Sequence, residues 1–194
     1  SIKNPNGVLW ANQFDNLSNK KSHYLTTGPE IYRQLDGEID AFICSIGTGG
    51  TISGVSSFLK QKNKKIVIGL ADPMGSAMYN YFKNGKLISK GSSITEGIGQ
   101  GRITKNLENV KIDKYFQVSD NEALELVIKM IQKEGLILGG SSGINIMGAI
   151  KLGKEIGPNK KIVTILCDYG TKYQSKIFNK NFLKKNKLPI PRWL

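Results

Sequence analysis

SIGTGGTISG, Ser45 to Gly54, follows the apolar run IDAFICSI (Ile39 to Ile46) and leads into a segment where Ile52, Val55, Phe58 and Leu59 recur at helical spacing. The run before it holds β-branched and aromatic residues with no turn former until Gly47, as a buried strand of a parallel sheet requires. Strand, glycine-rich loop and helix make one β-loop-α unit, with Thr51 or Ser53 as its N-cap. Gly47, Gly49 and Gly50 can turn successive backbone amides inward around an anion without a Cβ penalty. The helix start adds unpaired N–H donors and a positive dipole end, and the hydroxyls of Thr48 and Thr51 add two more donors. A dianionic phosphate suits this cradle. A tight turn with no ligand is the other reading that the stretch leaves open. The Gly-Lys-Ser/Thr ending of a nucleotide P-loop and the glycine spacing of a dinucleotide fingerprint are both missing, which argues against a triphosphate with magnesium.

On the N-terminal side, GVLWANQF (Gly7 to Phe14) reads as a short strand entering a loop with Gln13, Asp15 and Asn16. TTGPE (Thr26 to Glu30) then starts a helix, with Thr and Glu in a capping arrangement, that ends near Gly37. On the C-terminal side, KIVIGLA (Lys65 to Ala71) is a second buried strand stopped by Asp72-Pro73, and Gly75 to Gly85 is a short helix and turn. SITEGIGQGRITKN (Ser93 to Asn106) carries Gly97, Gly99 and Gly101 at alternate positions and suits neither a helix nor a packed strand. Such a loop is expected where backbone must approach something closely. Tyr115 to Val118 is a strand, Ser119 to Glu134 a capped helix stopped by Gly135, and LILGGSSGINIMGAI (Leu136 to Ile150) another strand, turn and helix with Ser141 and Ser142 at the helix start. Lys160 to Cys167 is the last strand, with Asp168 and Tyr169 at its end, followed by a helix through Ser175 and a lysine-rich tail. The alternation predicts an α/β class with a mostly parallel sheet and helices on both faces, as a single domain over residues 1–194. Ligands of such sheets bind at the C-terminal strand ends, where GTGGT, GGSSG and CDYG all fall.

The composition narrows the function. The two cysteines, Cys44 and Cys167, lie far apart in apolar runs and read as reduced core thiols. The single histidine, His23, reads as structural, and no metal cluster is available. The net charge of +13 comes almost wholly from lysine scattered at helix ends and loops, with one dense run, Lys176 to Lys187, near the C-terminus. That pattern reads as a solvated surface and not as a nucleic-acid platform. No apolar run is long enough to span a bilayer and no signal-peptide pattern opens the chain, so a cytoplasmic protein is expected.

TTGPE, GTGGT, EGIGQGR, GGSSG and CDYG, over essentially the whole chain, resemble the fold-type-II pyridoxal-phosphate enzymes, and within them the cysteine synthases, or O-acetylserine sulfhydrylases. The resemblance implies the C-terminal domain of a tryptophan synthase β-like fold. It implies that Gly47, Thr48, Gly49, Gly50 and Thr51 hold the phosphate of pyridoxal 5'-phosphate, that Gly97 lies by its ring and that Ser141 bonds its pyridine nitrogen. Gln13 matches a glutamine near the substrate carboxylate, and Asp168 is placed at the cofactor edge. In the family the cofactor is carried as a Schiff base by a lysine of an N-terminal domain. No motif of that domain occurs here, so the chain is expected to be a C-terminal fragment with no catalytic residue of its own, inactive alone. The activity implied for the complete enzyme, a transferase, is conversion of O-acetylserine and sulfide to L-cysteine and acetate. A related β-replacement enzyme such as a cystathionine β-synthase, or a non-catalytic phosphate-binding domain, is the alternative. The implied partners are a second copy in a homodimer and serine acetyltransferase, with no nucleic acid and no membrane.

Overall fold

Ala41, Phe42 and Ile43 expose no surface at all, and side chains buried in alternation toward both faces belong to a central strand. In the computed structural model, which describes residue 3 and residues 6–194, that strand is β1 (Ala41–Cys44). It lies between β2 (Val67–Pro73) and β4 (Ile162–Thr164), with β3 (Lys114–Val118) beyond β2, in the order β3-β2-β1-β4. All three pairings are parallel, with Ala41 opposite both Val67 and Ile162. The helices are α1 (Ser18–Leu25), α2 (Thr27–Gln34), α3 (Gly50–Lys62), α4 (Met78–Asn84), α5 (Asp120–Glu134), α6 (Gly140–Ile156) and α7 (Lys180–Lys185).

The alternation along β1 divides the core. Phe42 and Cys44 pack with Ile68 and Leu70 against Ile52, Val55 and Leu59 of α3 and Met78 of α4. Ala41 and Ile43 face the other way, with Ala71, against Ile144 and Leu152 of α6. Gly148 lets α6 settle directly on the sheet, since a Cβ there would stand 2.4 Å from that of Ala71. The expected parallel sheet with helices on both faces is therefore what forms. Local signals also hold: Ser119 and Glu122 form a reciprocal capping box on α5, and Gly135 and Gly85 close α5 and α4 with φ of 68° and 73°.

Several local expectations are corrected. GVLWANQF is not a strand: Leu9 is 94% and Trp10 72% exposed, and no described strand pairs with them. Between it and α2 stands α1, which is too polar to announce itself by periodicity. The Thr26 hydroxyl does not cap α2 but donates to Ser22 O at 2.8 Å. The N-cap of α3 is neither Thr51 nor Ser53 but Gly49, left-handed at φ 87°. Leu136 to Leu138 makes only one bridge, Leu138 to Tyr169, antiparallel. β4 stops at Thr164 because side chains of α6 take the next backbone groups: Asn145 Nδ2 donates to Ile165 O and the Cys167 N–H donates to Ser142 Oγ. Cys167 is consequently exposed, not a core thiol, whereas Cys44 is buried. The lysine-rich tail contains α7, whose Leu183 packs with Leu124 and Val127 of α5.

Asp72, at the end of β2, is fully buried; its Oδ2 accepts from the Tyr79 N–H at 2.8 Å and its Oδ1 has no partner. Burial raises its pKa from 3.8 to about 6. An acid whose folded pKa is raised costs nothing while both states are protonated, and destabilises progressively as pH climbs from 3.8 to about 6. Asp72→Asn keeps the acceptor for Tyr79. Denaturant titration is expected to show it more stable than the unaltered chain above pH 6, by up to roughly 3 kcal/mol, with the gap closing near pH 4.

Candidate functional site

In the strand order β3-β2-β1-β4, the chain leaves β1 toward β2 on one side while β4 returns on the other, so the switch point lies between β1 and β4. There a cleft of about 560 Å³ opens, lined by Gly47, Thr48, Gly49 and Thr51 after β1, by Glu96, Gly97 and Ile98, by Ser141 and Asn145 of α6, by Ile165, Cys167 and Asp168 after β4, and by Gln13.

The loop after β1 has the geometry of an anion cradle. The left-handed N-cap Gly49 supplies no side-chain cap to α3, and a helix start of this kind leaves first-turn amides beyond Gly50 without an intrahelical acceptor. Thr48 Oγ1 accepts from Asn19 Nδ2 at 2.9 Å and from the Gly50 N–H at 3.3 Å. With both lone pairs used, its own proton is left to donate elsewhere. Thr51 Oγ1 lies 3.2 Å from His23 Nε2, while Nδ1 of that ring lies 2.9 Å from Thr27 Oγ1. Burial holds His23 below the usual imidazole value, so the ring is a neutral bridge between α1, α2 and α3, in keeping with a structural role.

Across the cleft, α6 begins at Gly140 and places the nearly buried Ser141 on the lining. Asn145, fully buried, ties the two sides of the switch point: Oδ1 accepts from the Ser45 N–H at 2.7 Å, and Nδ2 donates to Ile165 O at 2.8 Å. Asp168 follows, with Oδ2 accepting from the Tyr173 hydroxyl at 2.9 Å and Oδ1 buried without a partner. Burial, and then the charge of Asp168, push the Tyr173 phenol up to about 12. Lys172 Nζ stands 3.7 Å from Asp168 Oδ2, at this pole of the cleft and not at the cradle.

The glycine-rich segment does approach backbone closely: a Cβ on Gly47 would stand 2.5 Å from Gly97 O, and the Gly99 N–H donates to Ile46 O at 3.0 Å. Thr104 Oγ1 donates to Thr48 O at 2.8 Å. Gln13 reaches the same cleft from a loop pinned by two asparagines, since its carbonyl accepts from Asn19 Nδ2 at 2.8 Å and from Asn106 Nδ2 at 3.0 Å. Arg102 holds the same loop through both oxygens of Asp15, at 3.1 and 3.2 Å, which keeps the Asp15 carboxyl below its ordinary value. Of the residues assigned to cofactor and substrate from the sequence, Gln13, Gly47, Thr48, Gly49, Thr51, Gly97, Ser141 and Asp168 line one cleft, and Gly50 does not. Asn19, Asn106 and Asn145, which hold that arrangement, carry no local sequence signal.

A parallel α/β sheet with a helix N-terminus at its switch point and a hydroxyl opposite is an arrangement suited to an anionic ligand. Residues 1–168 match the model of the family described as pyridoxal-phosphate dependent enzyme, and the chain belongs to that family, whose cofactor is pyridoxal 5'-phosphate. It is 43% identical over 186 residues to cysteine synthase 1 of Neurospora crassa, covering 93% of this chain and 50% of that protein. To a cysteine synthase of Buchnera aphidicola it is 41% identical over 187 residues, covering 94% and 58%. The solved O-acetylserine dependent cystathionine beta-synthase of Helicobacter pylori superposes with a TM-score of 0.77 at 33% identity, over 84% of this chain and 51% of that one. The chain spans about half the length of the curated relatives it matches. The cofactor fits the residues present: the cradle offers amides and a directed Thr48 proton to a dianion, and Cβ atoms at Gly47 or Gly49 would meet Gly97 O or Leu107 within 2.6 Å. No helix among the described residues is long and apolar enough to cross a membrane.

Proposed function

We propose that residues 1–194 are the cofactor-phosphate-binding part of a β-replacement enzyme that makes L-cysteine and acetate from O-acetylserine and sulfide. The observation that carries this reading is the pairing, across one cleft, of the uncapped Gly47–Thr51 cradle with the Ser141 hydroxyl. Pyridoxal 5'-phosphate, when bound, supplies an electron sink for the bond changes at the substrate's α- and β-carbons. The cradle amides and the hydroxyls of Thr48 and Thr51 hold the phosphate, and Gly97 leaves room beside the ring. Ser141 meets the pyridine nitrogen with a neutral hydroxyl, which leaves that nitrogen unprotonated and the sink moderate, as suits departure of a leaving group from the β-carbon. Gln13 serves the substrate carboxylate. The lysine that carries the cofactor in this reading belongs to an N-terminal domain outside these residues, and the chain alone makes no cysteine. A cytoplasmic homodimer that docks serine acetyltransferase completes the proposal. The structural likeness to the Helicobacter pylori enzyme supports a second reading, a related β-replacement on the same activated serine.

Calorimetric titration with 4'-deoxypyridoxine 5'-phosphate, which has no aldehyde and needs no lysine, tests the cradle. Binding is expected for this ligand and roughly a hundredfold weaker for its dephosphorylated form, in proportion to the charge-assisted bonds removed. Equal affinities for the two would overturn the assignment. Borohydride reduction after addition of pyridoxal 5'-phosphate is expected to leave no stoichiometric adduct on a single lysine, and such an adduct would overturn the placement of the carrier lysine outside the chain.

A further inference from the structure

Asn19 occupies a position that neither the phosphate cradle nor the Gln13 loop explains separately. Its single side-chain NH2 group donates in two directions, to Thr48 Oγ1 at 2.9 Å and to Gln13 O at 2.8 Å. Its carboxamide lies flat on the start of α3, because a Cβ at Gly50 would stand 1.9 Å from Asn19 Oδ1 and 2.4 Å from Cγ. Gly50 is therefore required by Asn19 as much as by an anion. Each proton of that NH2 group has one acceptor, so rotating the amide to follow one partner withdraws it from the other.

We infer that Asn19 is a positioning residue that couples occupancy of the phosphate cradle to the placement of Gln13. The inference rests on the reading of Gly47–Thr51 as a phosphate site and adds to it a link between two ligand-facing segments. When an anion accepts the Thr48 proton, the Thr48 oxygen becomes a better acceptor for Asn19, by polarisation along the chain of bonds. The amide is then fixed in the plane that also satisfies the Gln13 carbonyl. With the cradle empty, Thr48 is free to turn, and the Asn12–Asn16 turn rests on Asn106 and the Asp15–Arg102 pair. Asn106 keeps the loop folded in both conditions, and among the described residues Asn19 is the side chain that joins it to the cradle hydroxyl. Cofactor occupancy would thereby organise the side of the cleft that meets the substrate.

The test is amide hydrogen exchange over residues 12–16 with inorganic phosphate as the probe, alongside the dissociation constant of phosphate. In the unaltered chain, saturating phosphate is expected to slow exchange at Asp15 and Asn16, whose N–H groups donate to Asn12 O. In Asn19→Ala, phosphate is expected to bind roughly fivefold more weakly, and saturation no longer to slow those amides. Gly50→Ala, whose methyl displaces the same amide from the other side, is expected to give the same loss of response while Asn19 is retained. Slowing in Asn19→Ala equal to that in the unaltered chain overturns the coupling, as does phosphate binding to the unaltered chain without any slowing. No phosphate binding by the unaltered chain overturns the cradle itself, a result distinct from either.

Discussion

Asn145→Leu is expected to lower the thermal midpoint by roughly 10 °C, corresponding to roughly 3 kcal/mol for two half-buried backbone groups left without partners. The side chain is close to isosteric, so packing is largely kept while its hydrogen bonds are lost. The Ser45 N–H and Ile165 C=O, now tied by Asn145 at 2.7 and 2.8 Å, would sit in a site from which the leucine excludes water. These groups lie just past the ends of β1 and β4, where the ladder has already stopped, and no neighbouring strand can take them over. Calorimetry and denaturant titration measure the loss, and a fall below about 1 kcal/mol, the worth of an ordinary exposed bond, would show that the clamp is dispensable. Because Ser45 leads into Gly47, weaker phosphate binding is expected to accompany the fall.

Gly47→Ala is expected to damage ligand binding more than stability. The new methyl would meet Gly97 O at 2.5 Å, closer than the 3.0 Å below which real Cβ contacts essentially never fall. Both parties are backbone, so no rotamer change relieves the contact, and the cradle and the glycine-rich segment must move apart. The Gly99 N–H to Ile46 O bond resists that movement and transmits it into the end of β1. Affinity for 4'-deoxypyridoxine 5'-phosphate is expected to fall roughly tenfold or more, since ligand contacts tolerate displacements of well under about 1 Å. Gly101→Ala serves as the control: nothing lies within 4 Å of a Cβ there, and its affinity is expected to be unchanged.

The two predictions separate what local sequence discloses from what it does not. Gly47 and Gly97 were both visible as positions where a side chain is unwelcome, in GTGGT and EGIGQGR. Gly97 disfavours a side chain by its own left-handed φ of 77°, whereas Gly47 does so because the Gly97 carbonyl stands against it, which appears only when the segments meet. Asn145 had no such sign. It is an ordinary polar residue in an apolar helix, and its partner Ser45 is 100 residues away. Asn19 and Asn106 were hidden for the same reason: each bonds to segments 29 to 93 residues distant.

The sequence by itself determined the four strands of the parallel sheet, the helices α2 to α6, and the helix ends marked by Ser119, Gly85 and Gly135. These follow from short-range causes: burial runs, capping side chains and the freedom of glycine at positive φ. Tertiary structure decided that GVLWANQF would stay exposed, that β4 would end at Thr164 and leave Cys167 in the cleft, and that α1 would supply Asn19 and His23 to the cradle. Those outcomes depend on which distant group satisfies each backbone donor and acceptor once water is excluded, a competition that no window of neighbouring residues contains.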